Sequence, residues 1–377
     1  MATLSLAQRM RVTASQMCKG FSVPRGRRSA PSRETILIFR IGSLGDTIVA
    51  LPCFHRIANT FSDCRRVLVT NLTSGKSTPV ESVLDGSGLI QGAIYFPPPP
   101  RRWHDIWTLR NRIREIGATT LVYVGDRTLL QALRDIYFFR ACGIQRIIGA
   151  PFARDLRCPR TELTTGDTEH EAERLARCLS ALGAIDLRDR RVWDLRLRSC
   201  EIRAADAILG PLQGHRFVAL GLGGLNRRKH WGNEGWSTLL RMLAARYPGL
   251  GLIFVGSSDE FDRCGTLATH FGGPMINLCG QLSARETAAA LQRAIFYLGH
   301  DSGPMHLAAA VGTRCIALFG PASEPKRWYP MGAGHRIIHN KCSIHRIEPS
   351  CVMSAIEELL LEAGSWPNVS PPVTAAM

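Results

Sequence analysis

This 377-residue chain contains no uninterrupted apolar run of about 18 residues, so its sequence offers no candidate for a membrane-spanning helix. Its twelve cysteines, scattered from Cys18 to Cys351, include no C-x-x-C pair. They read as reduced thiols of a cytosolic protein, several of them buried as small hydrophobes. The nearest approach to a metal-ligating set is Cys342, His345 and Cys351, without the spacing of a known zinc site. The dinucleotide fingerprint G-x-G-x-x-G is also missing, which disfavours a dehydrogenase. Acidic residues are scarce: 31 Asp and Glu stand against 47 Lys and Arg, and none precedes Glu34.

The resulting net charge is +16, and residues 1–33 alone contribute seven of those positive charges. A basic surface suits polyanions, anionic lipid headgroups or phosphorylated substrates. No RNA-binding or zinc-finger signature accompanies the charge, so no specific nucleic-acid partner is expected. The leader 1–33 has the composition of an organellar transit peptide and lacks the apolar stretch of a secretory signal. We expect it to be a disordered basic tail. With 45% hydrophobic and 21% charged residues, the rest is an ordinary globular chain, long enough for two domains.

Order is expected to begin near Thr35. Ile36–Phe39 is a short apolar run, as for a strand buried on both faces. The helix after it is expected to restart or kink at Pro52. Further strands are expected at 67–70, 93–96, 120–124 and 146–149, with helices at 105–116, 129–141 and 169–183. Pro97 to Pro100 must form an extended loop. After a charge-rich connector at 186–214 the pattern restarts. Strands are expected at 217–222, 252–255, 295–298 and 315–319, and helices at 234–247, 284–293, 305–311 and 353–363. This alternation predicts two α/β halves with parallel sheets, at 34–185 and 215–364, and a tail at 365–377. Ligands of such sheets sit at the carboxyl ends of the strands.

Three loops that follow strands carry the chemistry. The first, Arg40-Ile41-Gly42-Ser43-Leu44-Gly45-Asp46, leads from a buried strand into a helix start. Asp46 is there either an ordinary helix cap or a carboxylate placed to accept a proton. The second, Gly221 to Trp231, is a glycine turn followed by Arg227, Arg228 and Lys229 with no acid among them. It is either a solvated basic turn or a seat for a phosphate. The third, Gly299 to Ala310, ends a strand, places Pro304 in the first helical turn and sets Ser302, Gly303 and His306 at a helix N-terminus. His306 taken alone fits packing as well as ligand contact.

Together these loops resemble the heptosyltransferases of glycosyltransferase family 9. Arg40, Ser43, Gly45 and Asp46 match its R-x-x-S-x-G-D start; Lys229, His230 and Trp231 match its K-H-W element. Asp301 to Ala309 match D-[ST]-G-P-M-H-[LI]-A-A in full, and Phe319-Gly320-Pro321 fits the element after the next strand. The similarity covers residues 35–362. It implies a GT-B fold, two Rossmann-like domains with parallel sheets facing a central cleft. It also implies an inverting, metal-independent transfer from a nucleotide-activated sugar, usually ADP-heptose, onto a lipopolysaccharide core or related glycan, with no cofactor. The absence of D-x-D agrees with cations and a helix terminus neutralising the leaving group.

On this resemblance Asp46 is the catalytic base. Lys229, Ser302, Gly303 and His306 bind the donor diphosphate, and Asp301 contacts the donor sugar. Asp259 or Glu260 contacts the nucleoside, and Gly45 and Arg228 belong to the phosphate loops. The chain departs from the family pattern in the crowding of Arg227 and Arg228, and in His300, where relatives often carry Asn or a smaller residue. A transferase using another nucleotide-sugar, a GT-B nucleotide-sugar epimerase and a non-catalytic nucleotide-sugar or polyanion binder stand as alternatives. The expected location is the cytoplasm, with peripheral contact at an anionic inner-membrane surface.

Overall fold

The computed structural model describes residues 34–71, 79–96, 102–224, 226–324, 326–362 and 364; the leader 1–33, the proline run 97–100 and the tail 365–377 lie outside them. Two wholly parallel sheets organise the described chain, each with helices on both faces. The first holds β1 (Thr35–Phe39), β2 (Arg65–Asn71), β3 (Ala93–Phe96), β4 (Thr120–Tyr123) and β5 (Arg146–Ile148) in the order β3-β2-β1-β4-β5. The second holds β6 (Phe217–Gly221), β7 (Gly251–Phe254), β8 (Met275–Asn277), β9 (Phe296–His300), β10 (Arg314–Phe319) and β11 (Arg336–His339) in the order β11-β10-β9-β6-β7-β8. Both orders reverse direction beside the first strand of the half, and the crevice at such a switch point is where open α/β sheets bind ligands.

β1 illustrates why these strands form. Its residues Ile36 to Phe39 are all buried, Leu37 pairing in register with Val67 on one side and Leu121 on the other. Ile36 and Ile38 pack against α1 (Leu44–Val49) and α2 (Leu51–Thr60). Leu37 and Phe39 pack against α4 (Trp103–Ile116) and α5 (Leu129–Ala141) on the opposite face. The expected break at Pro52 is present: α1 ends at Ala50, and Pro52 stands in the first turn of α2, where no amide donor is needed.

Other elements depart from expectation. The helix expected at 169–183 is shorter, α6 (Glu171–Cys178), followed by a single 3-10 turn at Ser180–Leu182. The connector 186–214 is not irregular. It contains α7 (Ser199–Ile208), whose Glu201 and Ala205 are buried against α10 (Ala284–Leu291). The strands β8 and β11, a one-turn helix α3 (Val80–Leu84) and α9 (Phe261–Ala268) were not expected. The remaining helices are α8 (Asn233–Arg246), α11 (Gly303–Ala310), α12 (Pro349–Glu362) and a single unexpected turn at Arg154–Arg157. No helix among the described residues is long and apolar enough to cross a membrane.

Candidate active site

The three loops singled out in the sequence meet in one cavity of about 800 Å³ at the carboxyl ends of both sheets. Asp46, in the first turn of α1, enters from the first half. Its Oδ2 accepts hydrogen bonds from the Ser43 amide at 2.7 Å and the Ser43 hydroxyl at 2.8 Å. Its Oδ1 makes no hydrogen bond among the described residues. From below, the buried Arg40 guanidinium donates to the Asp46 carbonyl at 2.5 Å. The carboxylate is therefore both a helix cap and a fixed group on the cavity wall.

From the second half come Lys229 and Asp301. Lys229 Nζ lies 2.5 Å from Asp301 Oδ2, and the Ser323 hydroxyl donates to the same oxygen at 2.8 Å. His306 Nε2 stands 3.7 Å from Asp301 Oδ1, close but too long for a hydrogen bond. Burial by itself would raise the Asp301 pKa. His306 and Lys229 outweigh it and hold the carboxyl at about 2.

α11 begins beside this pair. Ser302 is its N-cap residue, and its enclosed hydroxyl makes no capping hydrogen bond. Pro304 occupies the first turn, and the positive end of the helix dipole faces the cavity. The starts of α1 and α11 touch. A Cβ on Gly303 would stand 2.7 Å from Leu44 Cδ2, and one on Gly45 only 3.0 Å from the His306 ring. A side chain at Gly303 would collide with Leu44 and one at Gly45 would crowd the His306 ring, because the two halves approach this closely.

The Lys229 loop is held from three sides. His230 Nε2 lies 3.0 Å from the Gly224 carbonyl and His345 Nδ1 lies 2.9 Å from the Trp231 carbonyl. The Trp231 amide donates to His300 Nε2 at 2.9 Å. His300 is fully buried at the end of β9, and its ring stacks on His230. Burial, with His230 alongside, keeps it neutral by lowering its pKa to about 3. His345, the central residue of the one conceivable metal set, is thus turned to a backbone carbonyl. Among the described residues no three His, Cys, Asp or Glu side chains gather as metal ligands.

Most of the expected site residues therefore share this cavity: Gly45, Asp46, Lys229, Asp301, Ser302, Gly303 and His306 line it, as do both Asp259 and Glu260. Glu260 accepts the Ser257 amide and hydroxyl at 2.8 and 3.1 Å. Arg228 does not belong to the group. It is exposed, and the 3-10 turn at Arg227–Lys229 puts Asn226 and Arg227 on the wall instead. Sequence reasoning missed Ser323 on Asp301, Trp328 edge-on to the His306 ring at 6.3 Å, and Arg263, which donates to the Leu222 carbonyl. Ser323 and Trp328 follow β10, and that carboxyl-edge position was the available signal.

Residues 163–355 match the family model described as glycosyltransferase family 9 (heptosyltransferase). Lipopolysaccharide heptosyltransferase 3 of Escherichia coli strain K12 is 29% identical over 150 residues, 36% of this chain and 43% of that relative; the match spans less than half of the relative's length. Among solved structures, a glycosyl transferase family 9 protein from Veillonella parvula superposes with a TM-score of 0.67 at 16% identity, covering 89% of this chain and 100% of that one. The E. coli heptosyltransferase WaaC with ADP gives 0.61 at 19% identity, covering 86% and 99%. These likenesses show a shared GT-B fold. With just over half of its length matching the family model and the three loops assembled in one cleft, the chain belongs to glycosyltransferase family 9, the heptosyltransferase family.

Proposed function

We propose that the chain is an inverting, metal-independent glycosyltransferase that moves heptose from ADP-heptose to a hydroxyl of a lipopolysaccharide-core acceptor. The observation that carries the reading is the meeting of Asp46, from one sheet, with the Lys229–Asp301 pair and the α11 start, from the other. ADP is bound by a similarly folded heptosyltransferase, which supports an adenine-nucleotide donor here.

In this reading Asp46 takes the proton of the acceptor hydroxyl. Its oxygen attacks the anomeric carbon as the bond to the diphosphate breaks on the opposite face, and the configuration inverts. The departing ADP carries the negative charge. Lys229, Arg227 and the α11 N-terminus, with the Ser302 hydroxyl, stabilise that charge at the place where a divalent ion would otherwise act. Asp301 contacts the sugar, and Asp259 or Glu260 the ribose. Before donor binds, Lys229 is occupied by Asp301, so the diphosphate must draw it away or share it.

The test is calorimetric titration with ADP, UDP and GDP in the presence of a chelator, followed by transfer assays. ADP binds selectively, and Lys229→Ala weakens it by about 10- to 100-fold, as loss of a charge-assisted hydrogen bond does. Asp46→Ala leaves ADP affinity unchanged while transfer falls by about 10²–10⁴-fold, the range for a lost general base. Selective UDP or GDP binding overturns the donor assignment. Full turnover by Asp46→Ala overturns the base assignment.

A further inference from the structure

One surface of the first half is left unexplained by the cleft. On α4, Trp103 is 90% exposed and Trp107 60%; on α5, Leu130 and Tyr137 are each 80% exposed. Scattered exposed apolar residues are normal on a monomer. These are not scattered. α4 and α5 lie on the same face of one sheet and touch, Arg110 on α4 donating to the Ala141 carbonyl at the end of α5. Each helix spends only a few side chains on the core, Leu109 and Ile113 from α4 and Ala132, Asp135 and Phe139 from α5. Trp103 and Trp107 stand one turn apart, and so do Leu130 and Leu133, so each helix turns an apolar stripe outward.

Cations accompany the stripes. Arg110 sits over the Trp107 ring at 5.0 Å, and Arg112, Arg114 and Arg140 are exposed. None of these four has a carboxylate partner among the described residues. The one buried acid, Asp135, is already taken by Arg127 and Arg134. Trp, Tyr and Leu beside arginines that no carboxylate neutralises form the surface that a bilayer interface accepts: rings at headgroup level, aliphatic side chains just below, the guanidinium groups of Arg112 and Arg114, free among the described residues, on lipid phosphates.

Position adds a functional reason. β1, β3 and β4 are parallel, so α1, α4 and α5, which follow them, all start at the same edge of the sheet. Trp103 and Leu130 lie in the first turns of α4 and α5, at the edge where Asp46 stands in α1. We propose that the outer face of α4 and α5 docks the protein on an anionic lipid bilayer, with its aromatic end toward the cleft. This rests on and deepens the reading that the acceptor is a glycolipid: an acceptor anchored in that bilayer would meet the protein at the sheet edge that also carries Asp46.

The test is flotation of the full chain with phosphatidylcholine vesicles and with mixed phosphatidylcholine–phosphatidylglycerol vesicles, at low and high salt. Sedimentation velocity and ADP calorimetry are run on the same preparations. The wild type partitions onto the mixed vesicles and is weakened by salt. Trp103→Ser/Trp107→Ser lowers partitioning by about tenfold or more, which corresponds to about 1.4 kcal/mol, and leaves ADP binding unchanged. Arg112→Glu/Arg114→Glu removes the preference for the anionic lipid. Equal flotation of wild type and the tryptophan variant overturns the proposal, as does no flotation of the wild type. A wild-type dimer that the tryptophan variant converts to monomer also overturns it and assigns the face to a second copy. Failure to bind ADP overturns the donor reading alone, whatever the vesicles show.

Discussion

At the scale of single residues, the cleft is built from groups whose charge state burial and partners decide. Asp301 is enclosed yet ionised, because Lys229 and His306 are close enough to outweigh the cost of burial. Asp301→Asn releases Lys229 from its ion pair. We expect ADP affinity to be kept or raised while transfer falls, which a binding titration paired with a turnover assay separates. His300 is the reverse case, a buried base kept neutral. Its folded pKa, about 3, lies below the ordinary value of 6.5, so its contribution is complete above pH 6.5. That contribution is lost as pH falls toward 3, since the unfolded chain then takes up a proton that the folded one refuses. His170, held at about 4 mainly by burial, acts in the same direction. Each contributes a slope of about 1.4 kcal/mol per pH unit in the window between its two pKa values. Denaturant midpoints measured from pH 7 to 4 should fall, and His300→Gln should flatten the fall by about that slope. An unchanged slope in the variant would mean that His300 is not neutral in the fold.

At the scale of elements, the contact that makes the site is helix start against helix start. The first turns of α1 and α11 come from opposite halves and meet through Gly45, Leu44, Gly303 and His306. Gly303→Ala would press a methyl group into Leu44. We expect a loss of about 1–3 kcal/mol, the usual cost of overpacking, together with reduced transfer as Asp46 moves from the donor residues; thermal unfolding and turnover check the two. The loops that form this contact were readable in the sequence because glycines, a cap and a helix-initiating proline occupy fixed places in each. The elements that were not readable lacked such marks. α7 lies in a charge-rich stretch whose Glu201 looks like a solvent residue but is buried against Arg285. β8 and β11 are short and only half-buried, too brief for their alternation to register.

At the scale of the whole described chain, buried ion clusters tie the halves together away from the cleft. Arg285 of α10 donates to the Val83 carbonyl in the first half, to the Leu195 and Arg196 carbonyls in the connector, and to Glu201 of α7. Arg327, after β10, bonds Asp126 and the buried Glu171 of the first half, and its carbonyl receives the Glu171 amide. Arg285→Ala would strand Glu201 in the interior with Arg198 as its remaining ion partner. Since Arg198 still neutralises Glu201, the loss is expected to be that of unmet buried hydrogen-bonding groups, about 1–3 kcal/mol, and a denaturant titration should show it. Because Arg285 does not line the cleft, ADP affinity per folded molecule should change little.

The sequence alone determined the two parallel α/β halves, the three loops at their strand ends and the family, since each rests on local periodicity or on residues at fixed spacing. Only the tertiary structure decided that Arg227 rather than Arg228 faces the cavity, that Ser323 and Trp328 join Asp301 and His306, and that α4 and α5 share an uncovered aromatic face. Those facts depend on where a short turn points and on which distant strands become neighbours. Both are settled by packing between segments up to hundreds of residues apart, which no local pattern records.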